Sequence, residues 1–167
     1  GSGGVIFAPW LHGNRSPFED PSARGMFFNL SLGTGKRAMI RAVVEGIVFH
    51  QKWLFEAVSA RFPAKGPLRF VGGGALSPLM AQIMADILER PVQTVDHPQN
   101  CGAAGAALTA GIGLGMVRDF PHAKTMVPPL STIEPSALHR ATYRSHYEVF
   151  KQLWLRNRQL FSTLNSP

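Results

Sequence analysis

The amino-acid sequence predicts an α/β fold, in which a mixed sheet is flanked by helices. Two observations lead to this prediction. Short apolar segments typical of strands alternate along the chain with segments whose apolar residues recur at helical spacing, and no internal repeat or low-complexity segment interrupts this order. Such alternation is typical of domains in which helices pack on a sheet. The 167 residues, 45% of them hydrophobic and 16% charged, fit a single domain with its own core.

The first predicted elements frame a long polar loop. Residues 5–9 are apolar and predict a strand, whereas residues 11–25 carry the turn-forming residues that predict a loop. Residues 26–32 alternate in part between apolar and polar side chains, and they predict a second strand. Over residues 36–62 the apolar side chains fall on one helical face, so this segment predicts a long amphipathic helix.

A glycine-rich turn follows the next predicted strand. Residues 68–71 predict a strand that stops at the glycine triplet of residues 72–74. The helix after the turn has a clear start, because the Ser77 hydroxyl can accept a free backbone N–H and Pro78 has the backbone angle of a first helical residue. Residues 92–95 predict one more strand.

The last part of the chain predicts two helices and a connector. The small residues of 102–115 predict a helix that packs closely against a neighbouring element. Residues 121–135 are rich in proline and predict a connector. Residues 136–165 predict a terminal helix whose aromatic face packs on the body of the domain. The aromatic residues of this face are Tyr143, Tyr147, Phe150, Trp154 and Phe161.

The net charge of +7 raises the question of a nucleic-acid partner, because lysine and arginine contacts to phosphates dominate non-specific nucleic-acid binding. Much of the excess charge lies in the predicted terminal helix, opposite its aromatic face. A solvated helix face explains this distribution better. We therefore expect no nucleic-acid partner.

Cysteine content and hydropathy favour a soluble, cytoplasmic protein. No apolar run reaches the roughly 18 residues that a membrane-spanning helix requires, so we expect no membrane partner. Cys101 is the single cysteine and cannot form an intramolecular disulfide, which favours a reducing compartment. We interpret it as a small buried residue. The chain opens on Gly1 without an initiator methionine or a signal-peptide pattern, and we expect it to be cut from a longer protein.

The glycine turn is the main candidate for a binding site. Glycines let backbone approach a phosphate closely, and a helix N-terminus offers free N–H groups at the positive end of its dipole. In this chain the turn comprises residues 72–77. It matches neither the dinucleotide-binding pattern nor the P-loop pattern. Taken alone, a tight bend between strand and helix is the favoured interpretation.

Several stretches of the chain resemble one enzyme family. Residues 71–92 closely resemble the second signature region of the FGGY carbohydrate kinases, especially the xylulokinase-like branch. Residues 9–17 and 20–25 are similar to the segment with which the C-terminal domain of that family starts, and residues 42–47 resemble the next helix. Residues 102–107 and the aromatic last helix also fit, so the resemblance covers nearly the whole chain in the family's order.

The resemblance implies a ribonuclease-H-like domain of the actin and hexokinase type. Such kinases have two of these domains, with sugar and ATP in the cleft between them, and residues 1–167 would form the C-terminal nucleotide-side domain. The resemblance assigns nucleotide contacts to the glycine turn, namely Gly72, Gly73, Gly74, Ala75 and Ser77. The nucleotide contact is least secure for Ser77, because capping the helix would by itself explain a serine at this position.

The resemblance also places the reaction chemistry outside this chain. An Asp of the N-terminal domain acts as general base on a sugar hydroxyl, which attacks the γ-phosphorus of ATP bound with Mg²⁺. We therefore expect no catalytic residue in this chain, and none of Asp20, Asp86, Asp96 and Asp119 is expected to be the base. We interpret Asp86, Asp96 and Asp119, the last of them in a linker, as ordinary solvated residues. The six histidines lack metal-ligand spacing, so we expect no metal site within the chain.

Three charged residues need separate interpretation. Arg15 and Arg24 lie in the loop that resembles the cleft end of the family's domain, and they are candidates for a cleft loop. Pairing with Asp20 or Glu19 is the favoured structural explanation for both. Glu45 lies in an apolar helical neighbourhood, where a carboxylate must be paired, so we interpret it as a structural anchor.

Three functions remain open from the sequence. The leading one is a cytoplasmic sugar kinase acting on xylulose or a related sugar, in which this chain supplies the ATP side and is inactive alone. Its partners would be its own N-terminal domain and the sugar, and a homodimer of the full-length enzyme stays open. A non-catalytic actin-like nucleotide-binding or assembly module is the alternative, because fold does not fix function. A nucleic-acid-binding domain is the third.

Overall fold

The computed structural model describes residues 1–165, which fall into two compact units. The first unit contains residues 1–65 together with the C-terminal segment from Ser136 onward, and the second contains Gly66–Pro135. Both units combine helices with strands. No helix in the described part of the chain combines the length and the apolar character that crossing a bilayer demands.

The first unit is built on two antiparallel strands and two long helices. Strand β1 (Ile6–Ala8) pairs with β2 (Met26–Phe28), and all of β1 is buried. Helix α1 (Lys36–Ser59) packs on β1 so closely that a Cβ at Gly46 would collide with the Phe7 carbonyl. Gly46 is therefore required for this packing.

Helix α5 (Arg140–Asn165) completes the core of the first unit with the predicted aromatic face. Phe150 is fully buried, and its ring centroid lies 5.7 Å from that of Phe49 on α1. Aromatic pairs at such separations stabilise a core beyond their buried area. Four of the five predicted aromatic residues are buried, and Trp154 is half-buried.

Glu45 is the structural anchor that its apolar neighbourhood predicts. The carboxylate is 1% exposed and accepts hydrogen bonds from Arg41 Nε at 2.7 Å and the Tyr143 hydroxyl at 3.0 Å. The Ser2 amide also donates to it, at 3.2 Å. Burial, together with the neighbouring Glu45 carboxylate, raises the pKa of Tyr143 to about 12, so the phenol remains a proton donor in this network.

The second unit contains a three-stranded sheet in the order β3-β4-β5. Strand β3 (Leu68–Arg69) runs parallel to β4 (Val92–Val95), and β5 (Pro129–Ile133) is antiparallel to β4. Helix α2 (Pro78–Leu88) lies between the first two strands in sequence, and its residues Ile83 and Ile87 are buried. This unit is therefore organised around the short parallel pair and α2.

The proline-rich segment of residues 121–135 is not a connector, and that prediction is wrong. It contains most of helix α4 (Phe120–Thr125) and all of β5. Asp119 caps α4, because its Oδ1 accepts from the His122 amide at 2.7 Å, so it does not lie in a linker as expected. Proline is compatible with both elements, since Pro121 lies in the first turn of α4 and Pro129 is the first residue of β5.

Several other expectations are corrected by the structure. The second strand stops at Phe28 because Asn29 adopts a positive φ of 66°. Asp86 is not solvated: it is 4% exposed and accepts from Gln82 Nε2 at 2.8 Å. Helix α3 (Cys101–Gly113) has no buried residue, and Cys101 is only half-buried, so neither the expected close packing of this helix nor the expected burial of the thiol is found within residues 1–165.

Candidate functional site

The glycine turn joins β3 to α2 through one turn of 3₁₀ helix. Gly72 is fixed to the neighbouring segment, because its amide donates to the Pro98 carbonyl at 2.8 Å. Gly73–Leu76 form the 3₁₀ turn, in which the Ala75 amide donates to the Gly72 carbonyl at 3.1 Å. The predicted order of strand, glycine turn and capped helix is confirmed, and the turn has a defined backbone.

The local structure favours glycine at two positions of the triplet and does not require it at the third. Gly72 has φ of +91°, a conformation that other residues rarely adopt. At Gly74 a Cβ would lie 3.0 Å from both Met80 Sδ and Phe70 Cζ, so a side chain at this position would require these two neighbours to move. At Gly73 neither reason holds, because its φ is ordinary and a Cβ would meet no atom within 4 Å. Gly73 therefore leaves open space beside the turn.

Ser77 and Pro78 start helix α2 as the sequence predicts. The Ser77 hydroxyl accepts from the Met80 amide at 3.3 Å, and Pro78 occupies the first helical position. This bond satisfies one of the free N–H groups at the helix N-terminus. Ser77 is also exposed. Its hydroxyl is thus a structural cap that remains accessible to a ligand.

A cavity of about 400 Å³ borders the turn within the second unit. Its volume lies in the range of small-molecule binding pockets, about 300 to 1,000 Å³. The turn and α2 supply one wall through Ala75, Leu76 and Pro78, and the end of β4 supplies Asp96 and His97. The walls also include Thr94 and Ser131, whose hydroxyls lie 2.7 Å apart.

Sequence reasoning missed the contribution of β5 to this cavity. Leu130, Ser131 and Ile133 line it, and they belong to the segment that we expected to be a connector. A signal was present, because residues 129–133 contain Leu, Thr and Ile and follow a Pro-Pro pair. The proline content outweighed this short strand pattern.

Within residues 1–165, no group of three or more His, Cys, Asp or Glu side chains lies close enough to hold a metal ion. Asp96 is exposed at the cavity, and its Oδ2 lies 3.7 Å from His97 Nε2. Two such side chains do not form a metal-binding set.

Arg15 and Arg24 lie in the first unit and do not belong to the cavity beside the glycine turn. Arg24 NH1 donates to the carbonyls of Pro21 and Ala23, at 2.9 and 2.8 Å. Asp20 uses its carboxylate for other donors, so the ion pair expected between it and the arginines is not formed within residues 1–165. Both arginines line a second cavity, in the loop of residues 11–25.

Comparison with known proteins identifies the same family as the sequence resemblance. The pattern of the FGGY family of carbohydrate kinases, C-terminal domain, matches residues 1–114. A glycerol kinase from Gloeobacter violaceus is 33% identical over 161 residues, 95% of this chain and 32% of that protein. A xylulose kinase from Bacillus subtilis is 26% identical over 167 residues, 99% of this chain and 33% of that protein.

Solved structures agree with the fold class. The ligand-bound xylulose kinase from Lactobacillus acidophilus matches with a TM-score of 0.87 and 26% identity, over 98% of this chain and 33% of that chain. The gluconate kinase from the same organism matches with a TM-score of 0.86. The predicted α/β, ribonuclease-H-like fold is confirmed. The chain spans about a third of the length of the curated relatives it matches.

Proposed function

Because the chain belongs to the FGGY family of carbohydrate kinases, C-terminal domain, we propose that it is the ATP-binding side of a sugar kinase. The open space at Gly73 carries this proposal. A Cβ at Gly35, Gly102, Gly105 or Gly113 would also meet no atom within 4 Å, so open space alone does not indicate a ligand. Gly73 differs from these glycines because it lies in the turn of residues 72–77, which borders the cavity and to which the resemblance assigns the nucleotide contacts. A nucleotide phosphate or ribose fits this position.

The surroundings of Gly73 suit an anionic ligand. The turn leads directly into α2, a helix of 11 residues whose N-terminus carries the positive end of the dipole. Backbone N–H groups at such an end bind phosphate without a charged side chain. Gly72 and Gly74 fix the path of the turn around Gly73, while Ala75 and Ser77 provide its far side.

The reaction itself requires residues from another part of the full-length protein. Three of the aspartates in this chain are engaged in structural hydrogen bonds and are not suited to be the general base. Asp20 accepts three hydrogen bonds, Asp86 is buried against Gln82, and Asp119 caps α4. The base would lie in an N-terminal domain, which is this chain's first partner. Mg²⁺ bound with ATP would neutralise charge on the transferred phosphoryl group.

The substrate would be a polyhydroxy compound that carries the accepting hydroxyl. Relatives of this chain are named for three such compounds, xylulose, glycerol and gluconate. All three present a hydroxyl that can attack the γ-phosphorus once a base removes its proton. A xylulose-like sugar follows from the resemblance of residues 71–92 to the xylulokinase-like branch.

A coupled assay of ADP formation tests the proposed function. The full-length protein should release ADP from ATP and Mg²⁺ only when xylulose, glycerol or gluconate is added. The 167-residue chain alone should release none, because it lacks the base. Sugar-dependent ADP release by the 167-residue chain, or no release by the full-length protein with a wide panel of sugars and polyols, would contradict the proposal.

A further inference from the structure

The loop of residues 11–25 in the first unit is held rigidly by its own side chains. Asp20 Oδ1 accepts from the Ser22 and Ala23 amides, at 3.0 and 3.1 Å. Asp20 Oδ2 accepts from Trp154 Nε1 at 2.7 Å, which ties the loop to helix α5. A carboxylate with three such donors is fixed in position. Asp20 therefore has a structural role in the loop.

Further contacts fix the shape of the same loop. Asn14 Nδ2 donates to the carbonyls of Ser16 and Phe18, at 3.1 and 2.7 Å. The Phe18 ring stacks on Trp154 with 3.9 Å between the centroids. At Gly13, a Cβ would lie 2.9 Å from the Pro21 Cα, so the loop crosses itself closely at a position that only glycine fits. A loop of this length that is ordered by its own side chains is usually functional.

This loop encloses a cavity of about 390 Å³ with an excess of positive charge. The lining set contains two arginines, Arg15 and Arg24, and one carboxylate, that of Glu19. The complete lining set is His12, Asn14, Arg15, Glu19, Pro21 and Arg24.

The two arginines of the cavity differ in how their side chains are held. Arg24 is fixed by its bonds to the Pro21 and Ala23 carbonyls through NH1, and the fork of the guanidinium has further donors. Arg15 is exposed and makes no hydrogen bond or ion pair with residues 1–165. A guanidinium can hold an oxyanion through two parallel N–H bonds, and no partner among residues 1–165 competes for those of Arg15.

We propose that the cavity of the 11–25 loop binds a phosphate group, with Arg15 and Arg24 as its cationic contacts. The Glu19 carboxylate opposes a free anion but accepts hydroxyl groups, so the site favours the phosphate monoester of a small polyhydroxy compound over inorganic phosphate. This site lies in the first unit and does not depend on the nucleotide proposal for the glycine turn.

Isothermal titration calorimetry of the full-length protein without ATP tests the site. Glycerol 3-phosphate and inorganic phosphate are the probes, and glycerol is the phosphate-free control. We expect the ester to bind more tightly than inorganic phosphate, and glycerol to release no comparable heat. Substitution Arg15→Gln should weaken ester binding about 10-fold or more, because it removes a charge-assisted hydrogen bond. The melting temperature should stay unchanged, since Arg15 makes no contact of this kind in the described chain.

Arg61→Gln is the matched control. Arg61 is exposed and lies outside the cavity, and its substitution removes the same charge. It should leave ester binding unchanged. Glu19→Gln should strengthen inorganic phosphate binding and so reduce the preference for the ester. Absence of binding by both phosphate probes would overturn the proposal. Ester binding that Arg15→Gln leaves unchanged would also overturn it, because the ester would then occupy another site of the full-length protein. Equal losses in the Arg15 and Arg61 variants would also overturn it, because they would indicate a general effect of charge.

Discussion

The glycine turn of residues 72–77 and the loop of residues 11–25 each border a cavity, but they are built in opposite ways. Backbone hydrogen bonds and internal packing hold the turn, and Gly73, which has no side chain, leaves space beside it for a ligand. The loop is held by side chains such as Asp20 and Asn14, and its capacity lies in the charges of Arg15 and Arg24. Substitutions that add side-chain atoms should therefore impair the packing or the binding of the turn. Substitutions that remove side-chain atoms should impair the loop.

The largest effect on stability is expected from Asp20→Ala in the loop. The substitution leaves the Ser22 and Ala23 amides and Trp154 Nε1 without their common acceptor. Loss of several bonds to one charged group should lower the free energy of unfolding by about 3 kcal/mol. Urea denaturation measures this change, and Asp96→Ala is the control, because the Asp96 side chain is 77% exposed. Equal effects of the two variants would show that Asp20 does not support the loop.

A smaller effect is expected where a side chain is added to the turn. In Gly74→Val the new atoms meet Met80 and Phe70, so we expect a loss of about 2 kcal/mol from overpacking. Gly73→Ala should leave stability within about 0.5 kcal/mol of the wild type, because its Cβ meets open space. The same denaturation experiment compares both. A destabilised Gly73→Ala protein would mean that Gly73 has a structural role and would remove the support for a ligand at this position.

Among the destabilising substitutions, the smallest effect is expected from loss of the helix cap. Ser77→Ala removes the acceptor of the Met80 amide and should cost about 1 kcal/mol. Ser77→Asp retains a cap and should restore most of this loss, although its charge would oppose an anionic ligand. Comparison of the two variants separates the structural role of Ser77 from a binding role. If stability stayed unchanged in Ser77→Ala, the cap would be energetically irrelevant.

The parts of the fold that depend on local sequence were predictable. The start of α2 follows from Ser77 and Pro78, because capping is a local interaction between neighbouring residues. The aromatic face of α5 follows from helical periodicity, and Phe150 and Tyr147 are buried as that face requires. Glu45 was predictable as an anchor, because a carboxylate among apolar residues needs partners.

The parts that depend on distant contacts were not predictable from composition. Strand β5 is defined by its pairing with β4, and the prolines of residues 121–135 outweighed the short strand pattern that its sequence contains. The burial of Asp86 depends on α2 packing, which a local pattern does not reveal. The different roles of Gly73 and Gly74 depend on the positions of Met80 and Phe70 around them. The sequence resemblance named the whole turn, and the structure distinguishes which glycine is open.

Nucleotide affinity of the Gly73→Ala variant tests the central claim most directly. Isothermal titration calorimetry with ATP and Mg²⁺ on the full-length protein should show binding about 10-fold weaker than in the wild type, because the added methyl group fills the open space beside the turn. The control Gly113→Ala also places a methyl group in open space, at the end of α3, and should bind normally. Unchanged ATP affinity in a stably folded Gly73→Ala protein would contradict the account, because the nucleotide would then not approach the turn at Gly73.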